Sequence, residues 1–203
     1  MYKGLNSPHL TRRQFFSELI MPASISLHIR LSDIEPEIWR QVSVPANYTL
    51  AGLHFAIQAV MGWEDEHLHL FVIDGERYGV PDDASGGRPI AEEANVRLSH
   101  VLLEGHTFLY AYDFGDDWRH EIDVVKVSDA IAPLACLDGK RACPPEDSGG
   151  PYAYADLVEA VQNPKSADPD YLDWIGDFDP EEFDLELANK RLKALSKNNP
   201  TTH

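Results

Sequence analysis

From Ser24 to Leu31 every second residue is apolar: Ile25, Leu27, Ile29 and Leu31 fall on one side, Ser24, Ser26, His28 and Arg30 on the other. A two-residue period fits an extended strand with one buried face, and a helix would scatter those side chains around its axis. The same pattern carries on through the first two thirds of the chain. Ile38 to Val44 reads as a partner strand closed by Pro45, with Glu35-Pro36-Glu37 as the connection. Residues 67–73 make a third strand, and Asp74-Gly75 is a tight turn into a short return strand through Tyr78. Phe108 to Asp113 and Trp118 to Val127 are two more, joined by the turn Phe114-Gly115-Asp116-Asp117. One helix interrupts them. Thr49 is its N-cap, Leu50, Leu53, Ile57, Val60 and Met61 share its apolar face, and Gly62 stops it. Residues 81–97, rich in Pro, Gly, Asp and Ala without a period, read as a long surface loop.

After Pro133 the period changes from two to helical. Tyr154, Leu157, Val158 and Val161 sit at helical spacing, and Asp168-Pro169 has an N-cap followed by Pro at the first helical position. A last helix begins at Asp179-Pro180-Glu181-Glu182, with Phe178 and Phe183 as a hydrophobic staple, or at Asp184, and runs to about Leu195. The expected fold is α+β: a mainly antiparallel sheet of about five to six strands with one helix packed on it, followed by a helical C-terminal part. It forms one domain over 23–195, β-rich over 23–132 and helical over 144–195. An N-terminal arm at 1–22 and a frayed tail at 196–203 flank it.

The arm carries Phe15, Phe16, Leu19, Ile20 and Met21 behind Arg12-Arg13, but Gln14, Ser17 and Glu18 break the patch, so a signal peptide is not expected. No apolar run approaches the ~20 residues of a membrane span. The two cysteines do not make a disulfide framework, and Cys136-x6-Cys143 is spaced too widely for a zinc half-site. The expected compartment is the cytoplasm. The net charge is −17, and residues 144–187 hold thirteen Asp or Glu against the single base Lys165. Such a surface repels phosphate backbones and anionic membrane. It reads either as a solvated acidic face that aids solubility or as a docking surface for a basic protein partner or a cation.

Chemistry-bearing residues gather in three places. His67-Leu-His69 lies in an expected strand, so both imidazoles share a face; with His120 they are the metal-ligand candidates. The alternative is a pair of structural histidines. In the hairpin over residues 108–127, Asp113 ends the first strand and Asp116 sits in the turn, while Trp118 and His120 look inward toward the core or a pocket beside it. An Asp–His pair there suits general-base work; an acidic turn with a tryptophan plug is the alternative. In Cys143-Pro-Pro-Glu-Asp-Ser-Gly-Gly150, two prolines and two glycines present Glu146 and Asp147 at a set angle, to bind a cation or to cap the helix that follows. The candidate pocket is thus Asp113, Asp116, Trp118, His120, Glu146 and Asp147, with a divalent metal as the cofactor it would take. There is no Gly-x-Ser-x-Gly, no phosphate-binding loop and no His-Glu-x-x-His.

Several ordered segments resemble the Ri-plasmid (pRiA4b) ORF-3-like family over about residues 23–195. They are Ile38-Trp39-Arg40, Leu53-His54 with Ile57-Gln58, Met61-Gly62-Trp63, His67-Leu-His69, Tyr112-Asp-Phe-Gly-Asp116 with Trp118 and His120, Cys143-Pro-Pro-Glu-Asp147 with Gly149-Gly150, and Phe178-Asp-Pro180, Phe183-Asp184 and Asn189. The resemblance implies an α+β fold and an association with mobile elements, and some members carry a resolvase label. This chain's acidity, and its lack of a basic recognition helix or of a serine flanked by arginines, oppose that label. The expected function is a non-enzymatic binding or adaptor module, monomeric or weakly self-associating. The alternative is a metal-dependent hydrolase or other metal-binding enzyme, and a DNA-binding protein comes last.

Overall fold

The computed structural model describes residues 22–81 and 89–198. The expected N-terminal arm, apart from Pro22, and positions 199–203 of the expected tail lie outside them. The architecture is α+β. Eight strands form one sheet: β1 (Ser24–Leu31), β2 (Trp39–Pro45), β3 (His69–Ile73), β4 (Glu76–Gly79), β5 (Ala91–Glu92), β6 (Thr107–Tyr112), β7 (Trp118–Ser128) and β8 (Ala135–Lys140). Their spatial order is β5-β4-β3-β6-β7-β1-β2-β8. Every pairing is antiparallel except β4 with β5, so the sheet is mixed.

The alternation of 24–31 does what it predicts. Ile25, Leu27, Ile29 and Leu31 are buried, and β1 sits between β2 and β7. Helix α1 (Leu50–Met61) starts where Thr49 Oγ1 accepts the Gly52 amide at 3.2 Å. It ends where Gly62, at φ 99°, returns its amide to Gln58 O. Its expected apolar face is buried, but so are His54 and Gln58, polar residues at face positions.

Two expectations need correction. The sheet has eight strands rather than five or six. One addition, β8, lies beyond Pro133, where strands were not expected: it is an edge strand that turns only Cys136 fully inward, so its alternation is faint. The 81–97 stretch is not all loop, since β5 and a 3-10 turn at Glu93–Asn95 occupy part of it, with Glu93 buried. The C-terminal part comprises α3 (Gly150–Gln162), α4 (Pro169–Ile175) and α5 (Leu185–Asn198); a single turn, α2 (Leu98–Val101), precedes β6. Helix α5 packs on both α1 and β8. It starts after Asp184, whose carboxylate accepts the Leu187 amide at 2.8 Å.

Arg40, only 1% exposed, ties these layers together. Its Nε donates to Val60 O at the end of α1, and its Nη1 donates to Trp39 O and Lys140 O. The Phe183 ring covers the guanidinium at 3.9 Å. Burial lowers the Arg40 pKa, yet the group keeps its charge, with carbonyl dipoles and an aromatic face in place of a carboxylate.

Candidate functional site

The floor of the site is aromatic. Tyr110 and Tyr112 on β6 pair across the ladder with His120 and Trp118 on β7, and all four side chains turn inward. Trp63, just past α1, stacks on Tyr112 at 4.8 Å and meets His120 edge-on at 5.3 Å. Its indole Nε1 donates to Pro144 O at 3.0 Å, which draws the Cys-Pro-Pro-Glu-Asp turn over the sheet.

That turn is held at three further points. Asp116 Oδ2 accepts the Gly149 amide at 2.8 Å. Gly150, at φ 81°, passes so close to Asp116 O that a Cβ could not fit. Glu146 Oε1 accepts from the Tyr112 hydroxyl and from the Glu64 amide, each at 2.9 Å. Burial, and then the bond to Glu146, push the Tyr112 pKa far up, so this hydroxyl remains a donor.

These contacts bring three carboxylates to one imidazole. His67 Nε2 lies 3.2 Å from Asp147 Oδ1, 3.7 Å from Asp113 Oδ2 and 3.9 Å from Glu146 Oε2. The nitrogen is buried, and none of the three contacts has hydrogen-bond geometry. None of the carboxylates meets a lysine or arginine among the described residues. One donor atom each from His67, Asp113 and Asp147 lies within 4.8 Å of the others. Asp147 has its side chain 70% exposed, so the cluster opens to solvent. Beside it, Glu146 also lines a cleft of about 450 Å³ with Trp63, Pro144, Phe178 and Phe183.

The residues expected in the site divide. Asp113, Glu146 and Asp147 converge on His67. Glu146 and Asp147 do not cap α3, whose N-cap position is Gly149, a residue with no side chain to cap with. Asp116 secures the turn. Trp118, 1% exposed, is core. His120 is 0% exposed and sits beneath Trp63, not beside an open pocket. Its Nδ1 lies 3.3 Å from Tyr110 O, Nε2 has no partner, and burial lowers its pKa to about 4.

His69 leaves His67 for a second cluster, because β3 begins only at His69 and His67 belongs to the preceding connection. His69 Nε2 contacts Glu93 Oε2 at 2.9 Å, and its ring stacks on His54 at 3.5 Å with 7° between planes. Gln58 Nε2 donates to the Tyr110 oxygen at 3.1 Å, and the Tyr110 hydroxyl donates to His54 Nδ1 at 2.8 Å. His54 Nε2 then donates to Asp65 Oδ1 at 2.8 Å, and the Asp65 amide donates to Gln58 Oε1 at 2.9 Å. This ring closes without an ion. Donor atoms of His54, Asp65 and His69 also lie within 4.8 Å of one another, but the stacked imidazoles hold their lone pairs in parallel planes. Burial first, and then the neighbouring His69, lower the His54 pKa to about 4. The signal for this cluster was in the sequence: His54 and Gln58 interrupt an apolar helix face at a spacing of four.

The family model of the plasmid pRiA4b ORF-3-like protein matches residues 23–187, and the chain belongs to this family. A protein of Sinorhizobium fredii (strain NBRC 101917 / NGR234), named uncharacterized protein y4hQ, is 35% identical over 179 residues. The match covers 85% of this chain and 92% of that relative. A crystal structure of a protein of unknown function, MM3350 from Methanosarcina mazei Go1, is similar with a TM-score of 0.71 and 38% identity. It covers 81% of this chain and 96% of the other. Among the described residues no helix is long and apolar enough to cross a membrane.

Proposed function

We propose that the protein binds a divalent metal ion through His67, Asp113 and Asp147, with Glu146 as a fourth donor, and acts as a metal-dependent hydrolase. The observation that carries this reading is the buried His67 Nε2, which has no hydrogen-bond partner and faces three carboxylates. Three carboxylates around a single imidazole leave a net negative charge even when that ring is protonated. A divalent cation offsets most of that charge and satisfies the nitrogen. One nitrogen and several oxygens suit Mn²⁺ or Zn²⁺, and Mg²⁺ less well. A metal open to solvent lowers the pKa of its bound water toward neutrality. Glu146, fixed by Tyr112 and the Glu64 amide, joins this cluster to the cleft through which a substrate would approach.

A second reading, a binding module for a basic protein segment, draws on the C-terminal part. Asp168, Asp170, Asp173 and Asp177 are exposed around Trp174, itself 51% exposed and stacked on Tyr171. In either case the chain works in the cytoplasm, which suits two buried free cysteines, and nucleic acid is not its partner.

The test is a tag-free preparation stripped with chelator and assayed on phosphoester and carboxylic-ester panels, with and without Mn²⁺ or Zn²⁺. The hydrolase reading requires turnover that returns with metal and is absent in His67→Ala. Bound metal with no turnover on any substrate would refute catalysis and favour the binding module.

A further inference from the structure

On the other side of the Cys-Pro-Pro-Glu-Asp turn, a cleft of about 460 Å³ opens between the 33–36 connection, α3 and the residues after α4. Arg141 and Tyr154 both line it, and each is only 3% exposed. Two of their donors are orphans: Arg141 Nε and the Tyr154 hydroxyl are buried with no hydrogen-bond partner. The rest of the guanidinium is occupied. Nη1 donates to Pro36 O at 2.7 Å, and Nη2 pairs with Glu181 Oε1 at 2.8 Å.

The Nε and Nη2 groups form one edge of the guanidinium plane, the edge that takes a carboxylate through two parallel hydrogen bonds. Glu181 fills half of it. Its side chain is 60% exposed, so solvent competes for this carboxylate. Tyr154 is close enough for the Arg141 charge to act on its hydroxyl, although burial dominates and pushes its pKa up to about 12. The hydroxyl therefore stays protonated and available to donate. Two unused donors beside a half-filled guanidinium edge are the complement of a planar oxyanion.

We propose that this cleft is a carboxylate-binding site in which the ligand displaces Glu181, takes Arg141 through Nε and Nη2, and accepts from the Tyr154 hydroxyl. Asp33, Glu35 and Glu159 line the same cleft. They disfavour a phosphate dianion and favour a carboxylate that carries a cationic group, as an amino acid does. The site is separate from the His67 cluster, and metal binding is not required for it.

The experiment is calorimetric titration of the full chain with glycine, acetate and inorganic phosphate at constant ionic strength, in wild type, Glu181→Gln and Tyr154→Phe. Glycine should bind more tightly than acetate, and acetate more tightly than phosphate. Glu181→Gln should tighten glycine by about five-fold and Tyr154→Phe should weaken it by about as much, each change amounting to roughly one hydrogen bond. Both variants keep side-chain volume, and a melting curve checks that they fold. Affinities equal in all three proteins, phosphate binding tighter than glycine, or no heat with any ligand would each overturn the proposal.

Discussion

At the residue scale the contrast is between three histidines. His67 is partly open and its Nε2 is unmatched. His54 and His120 are closed in, and burial holds both rings near pKa 4. Unfolded, each would titrate near 6.5. Between these values the unfolded chain binds more protons than the folded one, so their contribution to stability is complete above about pH 6.5 and is lost as the pH falls toward 4. The loss should reach up to about 3 kcal/mol for each ring. Urea midpoints measured across that range should fall steadily; midpoints that stay flat would mean the two rings are solvated. Trp118 gives a second prediction. It is 1% exposed between Trp63 and Tyr154, so Trp118→Ala should cost about 3–5 kcal/mol in denaturant unfolding. A melting temperature near wild type would contradict its place in the core.

At the element scale, strands with one strongly apolar face were legible and weak ones were not. The period of β1, the Thr49 and Gly62 ends of α1 and the β6–β7 hairpin could all be read directly. Strand β8 could not. Gly139 there is kept small because Phe183 and Arg40 press on it, a reason that lies in contacts distant along the chain. The turn before α3 was visible as a rigid presentation of Glu146 and Asp147, but not the direction in which it points them. That direction depends on Asp116, thirty-three residues earlier in the chain. Asp116→Ala removes the bond to the Gly149 amide and should cost about 1 kcal/mol in stability. Metal affinity should fall by about ten-fold or more, because two ligands lose their register. Calorimetric titration with Mn²⁺ checks this, and an unchanged affinity would show that the turn holds itself.

At the scale of the whole molecule, the −17 charge is met by no matching basic surface in the sequence, and the family match gives the fold a lineage without a reaction. The candidate site was partly legible. Asp113, Glu146, Asp147 and His67 were all among the candidates, yet His69 and His120 were grouped with them because periodicity reports which face a side chain takes, not which neighbour waits there. The proposed function rests on one cation at His67. The direct measurement is equilibrium dialysis of tag-free protein against Mn²⁺ and Zn²⁺, with metal counted per chain in wild type, His67→Ala and His69→Ala. One ion per chain is expected in wild type and in His69→Ala, and none in His67→Ala. Binding that survives His67→Ala, or a wild type that holds no metal, would contradict it.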